Sequence, residues 1–111
     1  MAYKRIIWST RASSELKQIL EYFYQRNKSS RYSLNLLNEI EYLTSNLSKN
    51  ELIGRLTSNK ITRVIPMKVY LIFYEIRQDH IQIVSFWDNR QDISSSQKKY
   101  LRSKLDNPEH G

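Results

Sequence analysis

The sequence predicts an α+β fold in which a mainly antiparallel sheet carries a pair of helices on one face. Three observations lead to this prediction. Residues 69–76 and 81–87 are runs of β-branched and aromatic residues around a polar break at Gln78 and Asp79, which is typical of a β-hairpin. Two earlier segments place apolar residues at helical spacing. Each of those helices has one apolar side, and the sheet is the layer that can cover it.

The first half of the chain is predicted to form one strand and two helices. Tyr3–Trp8 is short and β-prone, so it is the expected first strand. A helix is predicted over Thr10–Arg26, with a serine or threonine available to cap its start. A polar break at 27–30 precedes a second predicted helix over Arg31–Leu47. Because so short a connection makes the helices antiparallel, we expect an αα-hairpin packed on one face of the sheet.

The second half supplies the other strands and a last helix. Residues 48–60 read as a polar loop, and 61–65 as a short strand. Residues 66–68 are expected to turn the chain into the hairpin. A weakly apolar helix is predicted over Ser94–Leu105. The predicted order is therefore β-α-α-β-β-β-α, within a single domain over residues 1–111.

Composition limits the classes of function. The net charge of +7 and pI near 9.7 indicate an anionic partner, either nucleic acid or an acidic protein. The sequence has no cysteine, and its two histidines, His80 and His110, have no partner at ligand spacing. We therefore expect no metal and no other cofactor. No apolar run approaches the roughly 20 residues of a membrane span, and no signal peptide is evident, so we expect a soluble cytoplasmic protein.

Basic residues around the hairpin are the strongest candidates for a functional site. Arg63 lies in a short strand, Lys68 at a corner and Arg90 just beyond the last strand. A sheet can bring such positions together. Guanidinium groups grip phosphates bidentately and can stabilise charge that develops at phosphorus. Arg63, Lys68 and Arg90 are therefore the candidate catalytic residues.

Ordinary ion pairs are the alternative for both arginines. Arg63 can pair with Glu75, and Arg90 with Asp88 or Asp92. Further residues around these positions are candidates for binding a substrate or target: Arg55, Lys60, Trp87, Asp88 and Lys98.

Phe86 and Trp87 are neighbours in the last predicted strand, so their side chains point to opposite sides. We therefore expect at most one of them in the core. The exposed member of the pair would be able to stack on a base or anchor a partner protein.

Two motifs in the strand region carry a family resemblance. Arg63-Val-Ile-Pro66 is followed by Tyr70-Leu-Ile-Phe-Tyr74, and the last strand leads into an Asp-x-Arg-Gln sequence that contains Arg90. Together with the element order, these motifs resemble the RelE/ParE family of bacterial toxins from type II toxin–antitoxin modules. The likeness covers almost the whole chain, from about Tyr3 to Leu105.

The resemblance implies a small basic toxin that inhibits bacterial growth and is neutralised by a cognate antitoxin. The antitoxin would wrap an extended or helical segment over the toxin, and operator DNA would be bound only through the antitoxin. The toxin would act either by cleaving mRNA on the ribosome or by inhibiting DNA gyrase. The alternative is a catalytically inactive antitoxin-binding domain without toxicity.

The two branches of the family differ in the residues they imply. In the RNase branch, basic residues orient the 2′-hydroxyl for attack on the adjacent phosphate, and Arg63, Lys68 and Arg90 match that part. However, Asp88 stands where several members place a histidine. The Arg-x-x-Pro and tyrosine pattern is more similar to the gyrase poisons, and both targets stay open at this point.

Overall fold

The computed structural model describes residues 3–90, which form two helices and one five-stranded sheet. The elements are β1 (Arg5–Trp8), α1 (Thr10–Asn27), α2 (Arg31–Lys49), β2 (Arg55–Leu56), β3 (Thr62–Met67), β4 (Tyr70–Ile76) and β5 (His80–Asp88). The strand order is β1-β5-β4-β3-β2. Only the β1–β5 pairing is parallel, so the predicted α+β class with a mainly antiparallel sheet is confirmed. The predicted helix over Ser94–Leu105 lies outside the described residues.

Both long helices begin and end close to the predicted positions, for local reasons. The Ser9 hydroxyl caps α1 by accepting the backbone N–H of Ala12 at 3.0 Å. At the other end, Lys28 adopts a left-handed conformation with φ of 54°, and its N–H donates to the Tyr24 carbonyl. Neither helix within residues 3–90 is apolar and long enough to cross a membrane.

One face of the sheet packs against both helices and holds the main core, as predicted. Its buried side chains come from α1, α2 and the three strands β3, β4 and β5. They are Ala12, Ile19, Leu36, Ile40, Leu47, Met67, Tyr70, Ile72, Tyr74, Ile81, Ile83 and Phe86. Burial of this apolar surface is the principal stabilising contribution to the fold.

A second, smaller cluster lies on the other face of the sheet. It consists of Val64, Phe73 and Trp87, all buried. Phe86 is 1% exposed and Trp87 is 5% exposed, so the prediction that at most one of them is in the core was wrong. Consecutive strand residues do point to opposite faces, but each face has its own buried cluster.

The β3–β4 hairpin differs from the prediction for residues 66–68. Pro66 and Met67 continue β3, and the turn is formed by Lys68 and Val69. Pro66 is tolerated because β2 pairs only with the Arg63 and Val64 part of β3, which leaves Pro66 on an edge. Lys68 takes a left-handed φ of 58° at the corner.

The predicted loop over 48–60 contains β2, which sequence reasoning missed. This strand has two residues, Arg55 and Leu56, and they pair with Val64 and Arg63. A two-residue strand has no periodicity of its own, since alternation needs several residues to be seen.

Glu15 ties α1 to β5 beyond the end of the β1–β5 pairing, which stops at Ile83. Its Oε1 accepts the Ser85 hydroxyl at 2.7 Å and the Phe86 N–H at 3.0 Å. A buried donor left without an acceptor is costly, so this carboxylate is structural.

Candidate functional site

The three candidate catalytic cations do not form one group. Lys68 and Arg90 lie at the same end of the sheet, where the Asn89 N–H donates to the Val69 carbonyl at 2.8 Å. Arg63 is opposite Tyr74, towards the other end of β3. At about 3.3 Å per strand residue, roughly 15 Å of strand separates it from the Lys68 corner. A single phosphate cannot contact both ends.

Arg90 is bound to Asp88 in a bidentate ion pair, here named the Asp88–Arg90 clamp. Its Nε and Nη2 donate to the two carboxylate oxygens at 3.1 and 2.9 Å, and its backbone N–H adds a third bond at 2.9 Å. Burial disfavours the charged carboxylate. The hydrogen bonds from Arg90 outweigh it and hold the pKa of Asp88 below its ordinary value. The predicted alternative of an Arg90–Asp88 pair is therefore confirmed.

Two tyrosines next to the clamp, Tyr70 and Tyr32, are also held in place by contacts. The Arg90 guanidinium lies 5.9 Å from the centroid of the Tyr70 ring. The Tyr70 hydroxyl shares a 2.5 Å hydrogen bond with that of Tyr32 on α2. Burial, reinforced by the Tyr32 hydrogen bond, raises the pKa of Tyr70 well above its ordinary value. The Tyr70 phenol is therefore protonated at neutral pH, and it is almost fully buried.

A cleft of about 440 Å³ lies beside the clamp, lined by Tyr22, Phe23, Arg26, Asp88 and Arg90. Two guanidinium groups and one carboxylate give it a net positive charge. Among these lining residues, Asp88 alone could accept a proton, and its lowered pKa makes it a weak base at neutral pH. The cleft can attract an anion, but its described residues supply no effective general base.

Arg63 belongs to a different arrangement, here named the Gly54 latch (Glu51, Gly54, Arg63 and Tyr74). The Arg63 guanidinium donates to the Gly54 carbonyl at 2.7 Å. The buried Tyr74 hydroxyl donates to the Glu51 carbonyl and accepts the Gly54 N–H, both at 2.8 Å. A Cβ on Gly54 would lie 2.7 Å from the Tyr74 ring, so only glycine allows this approach. The latch fastens the segment after α2 to the sheet.

The predicted Arg63–Glu75 ion pair was wrong. Arg63 is opposite Tyr74 in the register, and the next residue on β4 points to the other face. Glu75 instead accepts the Thr62 hydroxyl at 2.8 Å and pairs with Arg77 at 2.9 Å.

The remaining predicted site residues are spread over the surface and the core. Lys68 pairs with Glu39 of α2 at 3.0 Å in an exposed ion pair. Arg55, in β2, and Lys60, in the connection after it, are both exposed. Trp87 is buried, so it offers little surface for stacking, and Lys98 lies outside the described residues.

Sequence reasoning missed the Gly54 latch and the Tyr32–Tyr70 pair. Gly54 is one of only two glycines in the chain, and that scarcity marks a place where the backbone must approach closely. The Tyr32–Tyr70 pair left no such trace, because its members are 38 residues apart.

This architecture is the fold of the RelE/ParE type. The solved structure described as "Chromosomal ParDE TA system from P. aeruginosa" shares the fold, with a TM-score of 0.61 at 15% sequence identity. The match covers 76% of this chain and 94% of that one. No curated protein sequence matches the chain.

A sequence match identifies the family. A family model described as "ParE toxin of type II toxin-antitoxin system, parDE" matches residues 6–93, which is most of the chain. The protein belongs to the ParE toxin family, and the predicted RelE/ParE resemblance is confirmed.

Proposed function

We propose that this toxin inhibits growth by binding DNA gyrase rather than by cleaving mRNA on the ribosome. The observation that carries the proposal is that both candidate catalytic arginines already make structural hydrogen bonds. Arg63 is held in the Gly54 latch and Arg90 in the Asp88–Arg90 clamp, at different ends of the sheet. The Arg-x-x-Pro and tyrosine pattern of Arg63, Pro66 and Tyr74, which is more similar to the gyrase poisons, supports the same target.

The preference for gyrase over mRNA cleavage follows from the chemistry that RNA cleavage requires. Attack of a 2′-hydroxyl on the adjacent phosphate needs a base for its proton, an acid for the leaving oxygen and cations at phosphorus. Asp88 stays ionised and hydrogen-bonded to Arg90, and Tyr70 is buried and protonated. Binding to a protein target requires none of these groups.

The toxin is further proposed to act in the cytoplasm, where a cognate antitoxin neutralises it. Its charge of +7 favours an acidic antitoxin segment, and operator DNA would be bound through the antitoxin. The P. aeruginosa structure is described as a toxin–antitoxin system, which supports such a partner here.

Induction of the toxin alone in bacteria tests the target. The expected result is growth arrest with intact messages, DNA-damage signalling and stabilised gyrase cleavage complexes. Purified toxin should also inhibit gyrase supercoiling, and co-expressed antitoxin should restore growth.

Two other results would contradict the proposal. Messages cut on the ribosome together with normal supercoiling would assign RNase activity instead. Such cutting should then be lost in Arg90→Ala and Lys68→Ala proteins that keep the wild-type melting temperature. Unimpaired growth after induction would identify a domain that binds antitoxin without toxicity.

A further inference from the structure

Four exposed aliphatic side chains are concentrated in a ten-residue stretch next to the edge strand β2. Leu52, Ile53, Leu56 and Ile61 are between 41% and 61% exposed, and together they are named here the β2-edge patch. The other large exposed hydrophobic residues in the described part of the chain are mostly tyrosines, spread over the N-terminus and the helices. Clustered exposed aliphatic groups mark a protein-binding surface more often than scattered ones do.

The patch is built on a fixed backbone. Leu56 is the last residue of β2 and pairs with Arg63, and Ile61 directly precedes β3, so both aliphatic residues flank the same β2–β3 connection. The Gly54 latch holds the backbone next to Ile53 against Tyr74. A pre-organised surface loses little conformational entropy when a partner binds.

The β2–β3 connection is fixed by its own hydrogen bonds. The Thr57 N–H donates to the Thr62 carbonyl at 2.8 Å. The Asn59 side-chain oxygen accepts the N–H groups of Ile61 and Thr62, both at 2.8 Å. The position of Ile61 in the patch is therefore set by local structure.

Two cations border the patch. Arg55 and Lys60 are exposed, and neither makes an ion pair within residues 3–90. Most other cations near the strands are neutralised by a carboxylate, as Lys68 is by Glu39. Pairing of two copies through this patch would bring like charges together, so the patch is not suited to self-association.

We propose that the β2-edge patch binds an acidic amphipathic segment of the cognate antitoxin. Aliphatic side chains of that segment cover the patch, and its carboxylates lie against Arg55 and Lys60. Since β2 is the outermost strand of the sheet, one of its edges has no neighbouring strand within the described residues, and a bound segment can follow it. This inference rests on the proposed function, because it names the surface that the antitoxin uses.

The test measures binding of the full-length antitoxin, encoded beside this gene, to the full-length toxin and to two double variants. Leu56→Glu with Ile61→Glu puts charge into the patch. Arg55→Glu with Lys60→Glu reverses the charge at the border of the patch. The first pair should weaken binding about 100-fold and the second about 10-fold, as is usual for central apolar anchors and for rim charges. The second variant should also show a smaller loss of affinity as salt is raised.

Matched controls carry the same changes elsewhere on the surface. Leu34→Glu with Tyr42→Glu alters exposed hydrophobic residues of α2, and Lys28→Glu with Arg31→Glu reverses exposed cations near the helix connection. Both controls should bind within about threefold of the wild type, since surface changes away from an interface have small effects. All the altered side chains are exposed, so every variant is expected to fold. Thermal melting of each variant checks this.

The outcomes separate this inference from the proposed function. Wild-type affinity in both patch variants would overturn the inference while leaving the proposed neutralisation by the antitoxin intact. An unchanged affinity in the charge-reversal variant alone would overturn the acidic nature of the segment. Equal losses in patch and control variants would also overturn the inference. Absence of any complex with the wild-type toxin, and of growth rescue by the antitoxin, would overturn neutralisation and this inference together.

Discussion

Removal of one hydroxyl from the Gly54 latch should measurably destabilise the protein. Tyr74→Phe deletes the acceptor of the buried Gly54 N–H and the donor to the Glu51 carbonyl, both at 2.8 Å. A buried donor left unpaired costs about 1–3 kcal/mol, while the half-buried Glu51 carbonyl can bond to water instead. The expected loss is about 2 kcal/mol. With an unfolding entropy of about 2.1 cal/mol/K per residue, the melting temperature should fall by about 8 °C.

Chemical denaturation of four proteins provides the assay. They are the wild type, Tyr74→Phe, Arg63→Met and the double variant, which form a double-mutant cycle. Because both side chains hold the Gly54 peptide, their effects should be coupled by about 0.5–1.5 kcal/mol. Tyr42→Phe is the matched control, since the Tyr42 side chain is 73% exposed and should change stability by less than about 0.5 kcal/mol.

The same variants test whether Arg63 has a structural role. If it does, Arg63→Met should lose stability, and any loss of growth inhibition should follow the fraction of unfolded protein. A Tyr74→Phe protein as stable as Tyr42→Phe would show that the Gly54 latch does not stabilise the fold. An Arg63→Met protein with wild-type stability and no toxicity would identify Arg63 as a functional rather than a structural side chain.

Three further changes test other parts of the fold. Gly54→Ala should cost about 1–3 kcal/mol by denaturant titration, because its Cβ would lie 2.7 Å from the Tyr74 ring; a cost under 0.5 kcal/mol would contradict the close approach. Ser9→Ala should cost about 1–2 kcal/mol, because the Ser9 hydroxyl both caps α1 and donates to the Val84 carbonyl, whereas Ser29→Ala, outside the helix, serves as the smaller control. Asp88→Asn should cost about 1 kcal/mol at pH 7, since Arg90 is half-exposed. Asp88 has a lowered folded pKa, so its contribution is present above the unfolded value of 3.8 and is lost as pH falls through the folded value. Melting curves of wild type and Asp88→Asn should therefore converge below pH 3.8, and a constant difference down to pH 2 would contradict the clamp.

The helices and the hairpin were predictable because each repeats a pattern over many residues. Apolar spacing set the extent of α1 and α2 to within about two residues, since a misplaced helix would expose its apolar side. The β4–β5 hairpin was predictable for the same reason, although its Gln78-Asp79 break is not a favoured turn sequence.

The features that were not predictable depend on contacts between distant residues. β2 is too short for a periodic pattern, and its strand character comes from pairing with Arg63 and Val64. The burial of Trp87 depends on a second cluster across three strands, which no single segment reveals. Tertiary packing overrides local pattern in both cases.

The candidate site, too, was predictable where it depends on neighbouring residues and not where it depends on contacts between distant ones. Sequence identified the basic residues near the sheet, but it could not assign them to an end of a strand or to a partner. Arg63 and Lys68 are near each other in the chain, yet strand geometry places them at different ends of β3. The Asp88–Arg90 pair was foreseeable, because its members are separated by one residue.

The parallel pairing of β1 with β5 ties the start of the described chain to its end. Ser9, directly after β1, hydrogen-bonds to the Val84 carbonyl 75 residues later. At roughly 5–20 residues per second, translation needs about 4–15 s to supply that partner. β5 also contacts α1 and β4, so the sheet remains incomplete until this last strand is synthesised. The complete sheet, and any activity that needs it, therefore forms only after residue 88 has been synthesised.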